Sequence, residues 1–213
     1  VAESNLAAYL RQYSGKQPPE IAKPLQAEKL AQLNVLRMLA ASGKIPTAVE
    51  IIDSIIESGE KIIVFCSFVD PLKKLYDKYK KNAVFLTGET PVDERGEIVR
   101  AFQEDKDVRV FFGGIKSAGV GITLTAAANV LFLDYGWNPA DHLQAEDRAH
   151  RISQEASSVN IYQLHARGTV DDDLCKILKR KQGIFDTIID GKIKEKEKGE
   201  GIERVTQGIL KKY

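Results

Sequence analysis

The chain has 213 residues, 43% hydrophobic and 29% charged, which is the composition of a folded domain with an appendage and excludes disorder, collagen and a disulfide-built mini-protein. Lys plus Arg number 31 against 30 Asp plus Glu, a net charge of +1, so the whole-molecule field steers little and a polyanion has to meet a local patch. Cys66 and Cys175 lack CxxC spacing and nearby histidines, and no run reaches the length of a membrane span, so a disulfide framework, structural zinc and a membrane partner are not expected and the chain reads as intracellular.

Residues 1–58 read as helical, with LAAYLRQ, a Gly/Pro loop at SGKQPPEIAKP, then QAEKLAQLNVLRMLAAS and AVEIIDSIIES. Short β-branched and aromatic runs follow: KIIVFCSF (61–68), AVFLTG (83–88), VRVFFGG (108–114), NVLFLDY (129–135) and SVNIYQLHA (158–166). Their near-continuous apolar character predicts parallel strands covered by helices on both faces. Between them, Asp70-Pro71, Thr90-Pro91 and Asn138-Pro139 each place a capping side chain before a proline, and Thr47 with Glu50 and Thr169 with Asp172 repeat the capping-box spacing. The pattern predicts an α/β doubly wound parallel sheet over about 59–190, preceded by an N-terminal helical segment. Residues 191–213 form a charged tail.

In an open parallel sheet, ligands bind beyond the carboxyl ends of the strands. Three segments stand there: SFVDP (67–71), GGIKSAGVGIT (113–123) and WNPADHLQAEDRAHR (137–151). Gly119 and Gly121 could bring backbone N–H groups to a phosphate, but the third glycine of a dinucleotide fingerprint is missing, and a plain tight turn is the competing reading. Gln144, Arg148 and Arg151 lie at i, i+4 and i+7 on one helix face, where two guanidiniums a turn apart make an anion-binding fork. Asp147, four residues before Arg151, makes a salt-bridged surface helix the competing reading, and spacing alone favours it. His142, His150 and His165 do not form a metal set, and packing or hydrogen bonding suits all three.

QAEDRAHRISQ after WNPA, itself after GGIKSAGVGITLTAAANVLFLDY, resembles the final motifs of Swi/Snf-related superfamily-two helicase-like ATPases. The family's sixth motif is similar at Gln144, Asp147, Arg148, His150, Arg151, Ile152 and Gln154, with Ser153 in place of the usual glycine. Its fifth resembles Lys116-Ser-Ala-Gly119-Val-Gly121-Ile-Thr, and its fourth resembles KIIVFCSF. LTGETPVDERGEIVRAF and YQLHARGTVDDDLCKILKRK extend the likeness over about 60–190. The GVGITLT wording is similar to that of the HARP-like annealing helicases. Gly114-Ile115 departs from the pattern, since the family often has Ser or Thr there to contact a DNA phosphate.

The resemblance implies the RecA-like C-terminal lobe of a two-lobed DNA translocase, with residues 1–58 as helical protrusion and linker. Gly15-Lys16, Gly43-Lys44 and Gly191-Lys192 are each followed by a residue other than Ser or Thr, so none completes a phosphate-binding Walker A loop. The implied cofactor is ATP with Mg²⁺, held mainly by a first RecA-like lobe of the same polypeptide. The implied partners are that lobe and double-stranded or forked DNA. Arg148 and Arg151 become arginine fingers, Gly119, Gly121 and Gln144 nucleotide contacts, and Ser67, Gly88, Lys116 and Trp137 parts of the DNA track. Trp137 could instead pack beneath the helix that follows it. A lobe of an RNA helicase and a stand-alone nucleic-acid-binding module are the competing functions, and the compartment is the nucleus in a eukaryote or the cytoplasm and nucleoid in a prokaryote.

Overall fold

The computed structural model describes the backbone of residues 19–118, 122–136, 139–149 and 158–178. Two compact units divide the chain, 1–36 and 37–213. Described residues of the first are helical, and the second carries the sheet. In chain order the elements are α1 (Pro19–Gly43), α2 (Ile45–Glu57), β1 (Ile62–Cys66), α3 (Val69–Tyr79), β2 (Ala83–Leu86), α4 (Val92–Glu104), β3 (Val110–Gly114), the one-turn α5 (Ile115–Ala118), β4 (Asn129–Phe132), α6 (Pro139–Ala149) and β5 (Asn160–Gln163). Residues 170–178 are helical and are called α7.

The strands form one parallel sheet in the order β2-β3-β1-β4-β5, and each lies inside one of the five apolar runs. Central β1 and β4 are buried at every position, because helices cover both faces. Edge strand β5 is largely exposed, which explains its polar Asn160 and Gln163. Alternation along the strands sorts their side chains into two cores. On one face Ile62, Val64, Cys66, Val110, Phe112 and Leu131 pack with Ile52 and Ile55 of α2 and Leu72 and Leu75 of α3. Ile63, Phe65, Phe111, Val130 and Phe132 point the other way, onto Phe102 of α4 and Ala145 and Ala149 of α6. No helix among the described residues is long and apolar enough to cross a membrane.

Three of the capping expectations give way to other starts. Helix α3 begins at Val69, so Asp70 lies in its first turn and Pro71 at the third helical position, where an N–H would have had no intrahelical partner. Pro91 is itself the N-cap residue of α4, while the Thr90 hydroxyl turns back to accept the Thr87 N–H at 3.0 Å. Helix α2 starts at Ile45 with Pro46 in its first turn, which leaves Thr47 inside the helix. Thr169 does cap: its hydroxyl accepts the Asp171 N–H at 3.2 Å, and Asp172 reaches back to the Gly168 N–H at 2.8 Å. Asn138 lies outside the described residues.

Candidate functional site

All five strands run the same way, so their carboxyl ends share one edge of the sheet. Ser67, Gly88 and Lys116 follow β1, β2 and β3, three neighbouring strands, and all three residues are exposed. Each is held by a different device. The Ser67 N–H donates to Asp134 Oδ1 at 2.7 Å, which ties the end of β1 to the end of β4. Gly88 sits in a turn closed by the Thr87–Thr90 bond, and Arg95 braces that turn by donating to the Thr90 carbonyl at 3.0 Å and the Gly88 carbonyl at 3.4 Å. Lys116 projects from α5, whose Ser117 hydroxyl donates to the Gly114 carbonyl at 3.2 Å.

That last contact gives a physical reason for glycine at 114. A Cβ built there would overlap the Ser117 hydroxyl oxygen, while it would stand 3.8 Å from the Ser117 Cβ, an ordinary contact. Gly114→Ala should therefore cost about 1 kcal/mol, because the hydroxyl has to rotate away and lose its bond. The cost should fall by half or more in a Ser117→Ala background, as read by chemical denaturation. Equal costs in the two backgrounds would remove the hydroxyl as the obstacle.

Helix α6 follows β4 and rests on the sheet through Ala145 and Ala149. Gln144 is exposed on it, whereas Arg148 is only 9% exposed and its carbonyl accepts the Leu124 N–H at 2.9 Å. Half-buried Glu146 on the same helix has its pKa raised, first by burial and then by the neighbouring Asp147 charge. His142, in the first turns of α6, accepts the Gly136 N–H at Nε2 (2.8 Å) and lies against Phe132 with ring centres 4.5 Å apart. His165 contacts Asp172 at 2.7 Å and the Tyr135 hydroxyl at 3.2 Å. Gly119, Gly121, Trp137, His150 and Arg151 lie outside the described residues.

A group of charged residues that the sequence reading did not single out stands behind this edge. Arg37, near the end of α1, places its guanidinium 2.9 Å from Asp134 Oδ2 and donates to the Tyr135 carbonyl at 2.5 Å. Arg37 is 4% exposed and Asp134 1%. Seven residues on, at the junction of α1 and α2, Lys44 meets Asp171 Oδ2 at 2.7 Å and the Leu164 carbonyl at 3.3 Å. Burial depresses the Arg37 pKa, against the raising influence of Asp134, and pushes the buried Cys66 thiol well above its usual value. The available signal was spacing: Arg37 and Lys44 lie seven apart, with buried Ala40 and Ala41 between them and Lys44 just past the end of α1.

Residues 44–153 match the helicase conserved C-terminal domain. The chain is similar to the DNA annealing helicase and endonuclease ZRANB3 of Mus musculus, 37% identical over 153 residues that make up 70% of this chain and 14% of that protein. Among solved structures it is similar to the C-terminal part of the Fun30 ATPase domain, at 33% identity and a TM-score of 0.58 over 63% of this chain and 44% of that one. It is also similar to the Sulfolobus solfataricus SWI2/SNF2 ATPase core domain, at 32% identity and a TM-score of 0.53 over 66% of this chain and 29% of that one. The chain spans 8–14% of the length of the curated relatives it matches.

Proposed function

The chain belongs to the helicase conserved C-terminal domain family, in its Swi2/Snf2-related branch, with the RecA-like fold of that lobe, and from this premise we propose that it is the second motor lobe of an ATP-dependent DNA translocase or remodeller. The observation that carries the reading is the convergence of exposed Ser67, Gly88 and Lys116 on one sheet edge, with α6 rising from the next strand. Small residues and a flexible ammonium at the ends of three adjacent strands suit a phosphate backbone, which offers anionic oxygens at repeated intervals. Gln144 and Arg148 of α6, with Arg151 beyond it in the sequence, are donors that suit the nucleotide's phosphate oxygens. A guanidinium cannot ligate a cation, and Mg²⁺ takes oxygen ligands, so the two arginines fit the triphosphate and leave the metal to the first lobe.

On this reading residues 1–58 are the protrusion and linker, 59–190 the lobe and 191–213 a charged tail. Gly119 and Gly121 approach the nucleotide with their backbone, and Trp137 completes the DNA track. Delivering the arginines from a separate lobe makes hydrolysis depend on closure of the cleft, which converts nucleotide state into movement along DNA.

The test is turnover with and without a Walker A lobe. Purified residues 1–213 should show no DNA-stimulated ATP hydrolysis, and the same chain joined to a first lobe should show it. DNA binding by the isolated chain should be weak and should fall steeply with salt, in keeping with few phosphate contacts. Duplex should be preferred to RNA. ATP turnover by the isolated chain, or stimulation by RNA alone, would overturn the assignment.

A further inference from the structure

Arg37 precedes the matched domain at residue 44, yet its side chain lies at the centre of the sheet's carboxyl edge. Its Nη2 reaches Asp134 and Tyr135 after β4 and lies 3.5 Å from the Ser67 hydroxyl after β1. The guanidinium also stacks on Phe68, 5.0 Å from the ring centre. One buried cation thus holds the segments leaving two adjacent strands. Asp134 divides its oxygens between them, Oδ2 to Arg37 and Oδ1 to the Ser67 N–H.

The stretch held this way precedes α6 in the chain. Two residues after Asp134, the Gly136 N–H donates to His142 in the early part of that helix, and the helix carries Arg148 toward its end. Helix α1, the 134–136 segment and α6 are therefore joined by consecutive short polar contacts among buried groups. A buried charge pair has a narrow geometry, because each displacement leaves a desolvated charge without its partner.

We propose that Arg37 is a positioning residue, which fixes the Asp134–Gly136 segment and through it the placement of α6 and of the Ser67 corner. The proposal rests on the reading of α6 as the phosphate-facing helix for its catalytic consequence, and on the observed contacts alone for its structural one. Arg37 makes no contact with nucleotide or DNA in this account. It acts because a misplacement of about 1 Å in a catalytic group can cost on the order of 100-fold in rate.

Two variants separate position from stability. Arg37→Met leaves Asp134 buried and uncompensated and is expected to destabilise the whole lobe. Arg37→Met combined with Asp134→Asn removes both charges and retains an acceptor for the Ser67 N–H, so the fold should recover while the segment loses its clamp. Hydrogen exchange on the 213-residue chain gives the structural readout. In the double variant, amides of 134–149 should exchange at least about tenfold faster, with those of β2, β3 and α4 within about twofold of the parent. Exchange that is unchanged at 134–149, or raised equally across the sheet, would overturn the proposal.

Steady-state kinetics of the polypeptide with both lobes give the second readout. The double variant should lose about tenfold or more in kcat, with KM for ATP within about threefold. Arg37→Lys, which keeps the charge but lacks the planar guanidinium that stacks on Phe68, should rescue only partly. Loosened exchange at 134–149 with normal kcat would uphold the clamp and count against α6 as the phosphate-facing helix, so the two ideas fail separately.

Discussion

Arg151→Ala, in a polypeptide that carries both lobes, is expected to lower DNA-stimulated ATP hydrolysis by about 10³–10⁵-fold, the range of an arginine finger in nucleotide hydrolases. As the terminal phosphoryl group departs, negative charge grows on the equatorial and leaving oxygens, and a planar, permanently charged guanidinium stabilises it from across the cleft. The interaction strengthens only in the transition state, so kcat should fall while ATP and DNA affinities hold. Arg151→Lys should rescue poorly, since a point charge does not reproduce the fork. Arg148→Ala should be milder on turnover and should also cost stability, because that side chain is buried against the lobe. Thermal unfolding beside the kinetics separates the two effects. If Arg151→Ala kept hydrolysis within a factor of about three of the parent, far less than a finger contributes, the ion pair with Asp147 would be the better role for Arg151.

The strands were the most legible part of the sequence. Each apolar run contains its strand, and for the inner strands β1, β3 and β4 the reason is that burial on both faces demands a nearly unbroken series of Val, Ile, Phe and Leu. Helix starts were less legible, for a reason visible at Asp70-Pro71. Proline is tolerated anywhere in the first turn, since none of the first N–H groups has an intrahelical partner, so the pair limits where the helix begins without fixing the residue. Gly114 illustrates another limit. As a departure from a motif it reads as a lost hydroxyl, and only the position of Ser117 supplies a steric reason for it. The motif residues after β1, β2 and β3 were found in order because chain direction alone puts strand ends on one edge. Arg37 with Asp134 and Lys44 with Asp171 were not, because they join residues 97 and 127 positions apart, and spacing along one helix says nothing about what faces it.

Lys44→Met should destabilise the lobe by about 3–5 kcal/mol, the cost of leaving one member of a buried ion pair without its partner. Lys44 and Asp171 are both buried, with Nζ and Oδ2 2.7 Å apart. Asp171 Oδ2 also accepts the Ala166 N–H at 3.0 Å, and the Lys44 ammonium donates to the Leu164 carbonyl at 3.3 Å. The pair thus holds together the end of α1, the loop after β5 and the start of α7. Methionine fills a similar volume but leaves the carboxylate with one amide donor in place of an amide and an ammonium. For a chain of this size the midpoint of thermal unfolding should fall by roughly 10 °C. Lys44→Met with Asp171→Asn should recover most of the loss, because the amide oxygen still takes the Ala166 N–H and no charge remains to desolvate. The exposed pair Lys78–Asp53, 3.0 Å apart, is the internal control, and Lys78→Met should change stability by about 1 kcal/mol or less. Were Lys44→Met no more costly than that surface change, the buried pair would not be what docks α7, and the apolar contacts of Val170 and Leu174 would have to hold the helix instead.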